Sequence, residues 1–157
     1  MSIPRHICEF LDSQHVWYQH FTHTLAYTAQ GIAHAQHFSG KQLAKVVMVM
    51  ADGNLIMAVV PGNHRVDLQR LGEILNVDSI RLATEDEFKD LFPDCELGAM
   101  PAFGNLYRLD VWVDSALKSH PHVLFNAGTH SETILMTFAD FDRLVQPGIG
   151  TFSALMH

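Results

Sequence analysis

An α+β domain, with helices packed on a mixed sheet of about six or seven strands, is the architecture the sequence predicts. Three observations carry it. The 157 residues suit one domain, and 48% of them are hydrophobic, enough for a sizeable core. Strand-like and helix-like segments interleave irregularly, which argues against a doubly wound parallel sheet. Two apolar runs, KVVMVM and LIMAVV, flank Asp52-Gly53, the signature of an antiparallel hairpin closed by a tight turn.

Each element has a local reason. Ile7, Cys8, Phe10 and Leu11 recur at helical spacing between Pro4 and Ser13. Val16 to Phe21 is aromatic and β-branched, hence a strand. Thr24 to Phe38 has apolar residues at helical intervals, with Gly40 as a stop. After the hairpin and its Pro61-Gly62-Asn63 exit, Asp67 can cap a helix running to Leu75. Ser79 to Ala83 reads as a short strand, and Thr84 with Glu87 has capping-box spacing for a helix through Leu91. Pro93 and Asp94 open an irregular stretch around GAMPAFGN. Strands are expected at Leu106–Val113, Val123–Ala127 and Thr133–Phe138, and a last helix at Asp140–Val145 before the Pro147-Gly148 break. No repeat, linker or low-complexity segment interrupts the chain, so one domain over 1–157 is expected.

Charge and cysteine content narrow the function classes. The formal net charge is −7, from 10 Lys+Arg against 17 Asp+Glu with 11 His counted neutral. Such a surface does not grip a long run of phosphates, so DNA binding is not expected and any RNA contact is local. Cys8 and Cys95 have no metal-motif spacing and cannot form a disulfide-rich scaffold. The opening MSIPRHICEFLDS carries charges and a proline where a signal peptide needs an apolar stretch, and no window has the length of a membrane span. A cytoplasmic protein without membrane partners is expected.

Three segments are candidates for chemistry. Lys45, one of four lysines, opens the most apolar strand, where a tethered ammonium is held more firmly than on a loop. By pattern alone it reads first as a strand-end lysine whose stem packs while its head reaches water. The loop Gly98-Ala99-Met100-Pro101-Ala102 has a constrained backbone whose N–H groups can bind a carbonyl, although it lacks the Lys and Ser/Thr of a P-loop. Gly128, Thr129 and His130 follow a buried strand, where ligand groups are often placed, and His130 can position a substrate or exchange a proton. Histidine pairs at His20/His23, His34/His37 and His120/His122 raise a metal hydrolase, but no HExxH or third ligand accompanies them. No cofactor and no metal are expected. There is no GxSxG nucleophile motif.

The order of these pieces is more specific than any one of them. HTLAYTAQGIA at 23–33, AKVVMV at 44–49, AVVPGNHRVDLQRL at 58–71, LATEDEF at 82–88, LFPDCELGAMPAFGNLY at 91–107 and FNAGTHSET at 125–133 together resemble the YbaK/prolyl-tRNA-synthetase-associated domain family. The resemblance runs from about His20 to Pro147. It implies a compact α+β fold around a mixed, mostly antiparallel, barrel-like sheet. It also implies a free-standing editing hydrolase that cleaves the ester of mischarged aminoacyl-tRNA, with the tRNA 3′ acceptor end as partner and a synthetase as candidate associate.

Residue by residue, the resemblance makes Lys45 the family's essential lysine. Gly98 begins the loop that holds the aminoacyl carbonyl or amine, with Ala99, Met100, Pro101 and Ala102 following. His130 falls where related domains carry a functional histidine or its substitute, beside Gly128 and Thr129. His23, Ala26, Tyr27 and Thr28 would line the amino-acid pocket. Departures stand at Ala102, where the family loop often has proline, and at Leu25 and Arg108, where close relatives more often have Pro and Gly. An aminoacyl ester is already activated, so its hydrolysis needs positioning, carbonyl polarisation and an ordered water more than a strong nucleophile. A binding module without catalysis is the alternative.

Overall fold

The computed structural model describes residues 5–22 and 43–156. The expected helix over 24–38 and the pocket candidates His23, Ala26, Tyr27 and Thr28 lie outside them. Helix α1 (Arg5–Ser13) is followed by β1 (Tyr18–Thr22), and after the undescribed segment by β2 (Leu43–Ala51) and β3 (Asn54–Pro61). Then come β4 (His64–Val66), α2 (Leu68–Leu75), β5 (Ile80–Leu82) and α3 (Glu85–Phe88), with a short 3-10 turn over Lys89–Leu91. The chain continues through β6 (Asp110–Asp114), α4 (Ser115–Lys118), β7 (His122–Asn126), β8 (Glu132–Thr137), α5 (Phe138–Val145), β9 (Gly148–Gly150) and β10 (Ser153–Leu155).

One mixed sheet of eight strands runs in the order β1-β8-β7-β2-β3-β6-β9, with β5 also paired to β2. The α+β class is as expected. The strand count exceeds six or seven because β5 and β9 are only three residues long. The β2–β3, β7–β8, β1–β8 and β2–β5 pairs are antiparallel. The β2–β7, β3–β6 and β6–β9 pairs are parallel. A second, two-stranded ribbon pairs β4 with β10.

The hairpin turn forms as its residues dictate. Asp52 and Gly53 both adopt positive φ, 47° and 81°, the geometry whose twist matches the flanking strands. Asp52 Oδ1 then accepts from the amides of Asp78 and Ser79, drawing β5 onto the hairpin tip. Asp67 caps α2 by accepting from Arg70 N at 3.1 Å, and the Thr84/Glu87 capping box is complete. The expected strand Leu106–Val113 begins only at Asp110, because Gly104–Tyr107 forms a 3-10 turn ended by Arg108 at φ 61°. That left-handed backbone explains why glycine suits this position and shows that arginine is strained there.

Strand alternation divides the buried side chains between two faces. Ala44, Met48, Met57, Val59, Val123, Phe125, Ile134 and Met136 join α1, α5 and the loop residues Met100, Ala102 and Phe103 in the main core. The opposite face carries Val47, Val49, Ala58 and Val60, packed under α2 and Phe152. Lys45 shares this second face with Val47 and Val49, by the same alternation.

Candidate functional site

Lys45 stands opposite Val60 on β3, and β2 pairs in parallel with β7 through Leu43–Leu124 and Ala44–Phe125. One step further along that register brings Lys45 level with Asn126, and Asn126 faces Thr133 across β7–β8. Lys45, Asn126 and Thr133 therefore share one face of adjacent strands, next to Leu43, Leu124 and Leu135. The side-chain oxygens Asn126 Oδ1 and Thr133 Oγ1 are buried with no hydrogen-bond partner. Among the described residues neither oxygen has a partner, and buried polar atoms left this way are uncommon. Burial pushes the Lys45 ammonium below its ordinary pKa, and Nζ reaches to 4.0 Å from Met156 Sδ.

Beyond Asn126 the chain enters the Gly128–His130 loop, and this loop is sewn to the Gly98 loop by four hydrogen bonds. Glu96 N donates to Gly128 O at 2.8 Å and Gly128 N to Ala99 O at 2.9 Å. His130 N donates to Glu96 Oε1 at 2.8 Å, and His130 Nε2 lies 3.1 Å from Leu97 O. A carbonyl only accepts, so Nε2 carries the proton in the neutral ring and Nδ1 the lone pair. Two segments about thirty residues apart in sequence thus form one rigid platform.

Gly98 is the conformational key of that platform. Its φ of 86° lies in the left-handed region, and a Cβ there would sit 3.4 Å from the His130 Cε1 atom. The Ala99 amide is taken by Glu96 O at 3.1 Å, whereas Gly98 N faces only the thioether of Met100 at 3.3 Å. Sulfur is a weak acceptor, so the Gly98 N–H is only weakly engaged and can turn to an incoming carbonyl oxygen. Ala99, Met100, Pro101 and Ala102 are all buried, with Met100 and Ala102 inside the main core. They support the platform from behind.

Thr129 is 2% exposed, and its hydroxyl donates to Glu132 Oε2 at 2.9 Å. Glu132, 5% exposed, also meets His20 Nε2 at 3.1 Å. This buried carboxylate anchors the His130 loop from below and was not foreseen; its only sequence signal is an acidic residue opening the apolar run ETILMT. Glu96, which ties the loops together, carried no signal except adjacency to Gly98. Asn126 was within reach, as the one amide ending an apolar strand.

The cysteines are unsuited to nucleophilic work. Burial raises the Cys95 thiol to about 11, with Tyr107 Oη and Asp94 Oδ1 each 3.6 Å away. Burial also raises Cys8. Among the described residues no group of three His, Cys, Asp or Glu is arranged to hold a metal ion. His20 of the proposed pairs is engaged by Glu132.

A mixed eight-stranded sheet thus carries Lys45 on β2 and, after β7, a loop hydrogen-bonded to the Gly98 loop. The chain belongs to the aminoacyl-tRNA editing domain family, whose profile matches residues 23–144. It is 24% identical over 136 residues to the multifunctional Ser/Thr-tRNA deacylase ProXp-y of Escherichia coli (strain K12), covering 83% of this chain and 81% of that protein. Among solved structures, a candidate trans-editing enzyme for prolyl-tRNA synthetase superposes with a TM-score of 0.84 at 20% identity, covering 96% of both chains. A hypothetical protein superposes with a TM-score of 0.85 at 17% identity, over 94% of this chain and 99% of that one.

Proposed function

We propose that the protein is a trans-editing deacylase, which hydrolyses the ester of mischarged aminoacyl-tRNA and releases free amino acid and tRNA. The observation that carries this reading is the welded platform, which presents the weakly engaged Gly98 N–H next to the His130 imidazole. The Gly98 amide polarises the ester carbonyl and stabilises the oxyanion as water adds. His130 Nδ1 orients that water. Lys45 binds the phosphate or ribose of the terminal nucleotide, and its partial desolvation strengthens that contact. The neighbouring hydroxyl of the terminal ribose assists proton transfer to the departing oxygen.

His23, Ala26, Tyr27 and Thr28 are proposed to line the amino-acid pocket, with Gly128 and Thr129 closing it from the platform side. A synthetase that delivers the mischarged tRNA is the proposed partner, and the cytoplasm, where translation runs, the proposed location. No helix among the described residues is long and apolar enough to cross a membrane. The non-catalytic alternative requires a loop loosened at Ala102, where the family loop often has proline. That argument weakens, because Ala102 is fully buried and four hydrogen bonds hold the loop.

Incubation with a panel of mischarged tRNAs, serine and threonine esters first, tests the reading. Multiple turnover on at least one ester supports it, and a substrate lacking the vicinal ribose hydroxyl should react at least about tenfold slower. Binding of a non-hydrolysable aminoacyl-adenosine without turnover of any ester would establish the binding module instead.

A further inference from the structure

Glu132 opens β8 with a carboxylate on a strand otherwise built for the interior. The run ETILMT is buried through Met136, and Glu132 is itself 5% exposed. Burying a carboxylate costs more than burying a well-packed apolar side chain, so packing energy does not account for it. Two donors meet this group. The Thr129 hydroxyl donates to Oε2 at 2.9 Å, and His20 Nε2, on β1, lies 3.1 Å from Oε1. An ionised carboxylate only accepts, so both contacts suit the charged form.

Thr129 stands between the two residues that grip the Gly98 loop. Gly128 is bonded through its backbone to Glu96 and Ala99, and His130 through its amide and ring to Glu96 and Leu97. Thr129 instead gives its hydroxyl to β8, so the loop is held from two sides. The backbone closure of the same turn is slack. Glu132 N stands 3.5 Å from Thr129 O, beyond the ordinary N–H···O range, while the side-chain bond between the same two residues is 2.9 Å. Ser131 Oγ, 3.4 Å from Thr129 Oγ1, is too far to replace it. The carboxylate therefore closes the turn that presents His130.

We propose that Glu132 is a positioning residue for the ester hydrolysis assigned to the platform. Through Thr129 it fixes where the His130 ring and the Gly98 N–H stand relative to each other. His20 holds the second oxygen and keeps the carboxylate aimed at Thr129. A displacement of about 1 Å in such a constellation costs on the order of a hundredfold in rate, so a group that never meets the ester still controls turnover. The inference rests on the deacylase reading for the reaction it serves, while the geometry it controls is measured in the free protein.

The test compares Glu132→Gln with the double variant Glu132→Met/Thr129→Val in the full chain. The double variant removes acceptor and donor together, so neither is left unpaired and the fold is retained, which urea denaturation verifies. Its kcat on a mischarged tRNA should fall at least about tenfold with KM within about twofold, the pattern of lost alignment in the transition state. Glu132→Gln keeps an oxygen for the Thr129 hydroxyl and should recover most of that loss. In the free protein, the NMR signals of the Gly98 amide and the His130 imidazole should shift in the double variant and return in Glu132→Gln, while those of Val47 and Ala58 stay in place. Wild-type kcat in the folded double variant, an equal loss in Glu132→Gln, a change in KM alone, or unmoved Gly98 and His130 signals would overturn the proposal. A wild-type chain that hydrolyses no ester would defeat the deacylase reading, and the same NMR signals would still decide whether Glu132 sets the platform.

Discussion

At Gly98 a single missing Cβ holds the proposed chemistry in place. Gly98→Ala brings a β-carbon to 3.4 Å from the His130 ring on a backbone with φ 86°. The left-handed penalty is about 1–2 kcal/mol for an L-residue, and relieving it rotates the amide away from the carbonyl. Deacylation kcat should fall about a hundredfold, as when one oxyanion donor is lost, while circular dichroism stays native. Arg108 runs the other way. It occupies φ 61° on an exposed turn, so Arg108→Gly should gain about 0.5–1 kcal/mol, seen as a higher urea midpoint at unchanged m. Lys45 is partly desolvated, no carboxylate among the described residues pairs with it, and its pKa is lowered by that burial. Its charged form is disfavoured on folding, so stability from this residue improves as pH rises past its folded pKa. Lys45→Met should therefore raise the thermal midpoint at pH 7 while abolishing turnover. The thiol of Cys95, raised to about 11, works in the opposite sense. Its neutral form is favoured in the fold, so this contribution is intact below about pH 9 and is lost between the ordinary thiol value and 11. Slow alkylation of Cys95 by iodoacetamide at pH 8, with rapid reaction in urea, checks it.

Helices and strands are tied together chiefly by buried or capping carboxylates. Asp114 is 2% exposed and accepts from Ala116 N at 3.0 Å, capping α4, and from Phe152 N at 2.8 Å. Asp114→Ala removes the cap and leaves a buried N–H unpaired, at a cost of about 2–4 kcal/mol, measurable by urea denaturation. Because Phe152 packs under the second face and leads into β10, the same change should loosen the β4–β10 ribbon. Glu87 is held well below the carboxylate range, to about 2, by Arg81 at 2.7 Å and by the Thr84 amide. That contribution is present above about pH 4.5 and disappears as pH falls toward 2. Local signals of this kind were readable in advance: the Asp-Gly turn, the Asp67 cap and the Thr84/Glu87 box each depend on a few neighbouring residues. The β4–β10 ribbon was not readable, since a three-residue strand has no period to detect and its partner lies about ninety residues away. Nor was the late start of β6, because the alternation of Leu106–Val113 is equally compatible with a 3-10 turn once Gly104 and Arg108 bend the chain.

Over the whole molecule, net charge and substrate are reconciled by geometry. At −7 the surface repels an RNA body, and protonating all 11 His would move the formal charge to +4. The site itself was only partly legible. Lys45, Gly98 and His130 could be singled out because a strand-end lysine, an unusual glycine loop and a loop histidine stand out locally, and the family resemblance joined them. What joins them physically is long-range: Glu96 holds His130 from 34 residues away, and the parallel pairing of β2 with β7 sets Lys45 beside the strand that leads into the His130 loop. Such partners are set by sheet order, which no local pattern encodes.

The measurement that bears most directly on the proposed function is steady-state deacylation of the mischarged-tRNA panel by the wild-type chain and by Lys45→Ala, with folding of both verified by thermal melting. Turnover of at least one ester, reduced about a hundredfold or more in the variant, is predicted. No hydrolysis of any ester, or equal rates for the two proteins, would contradict it.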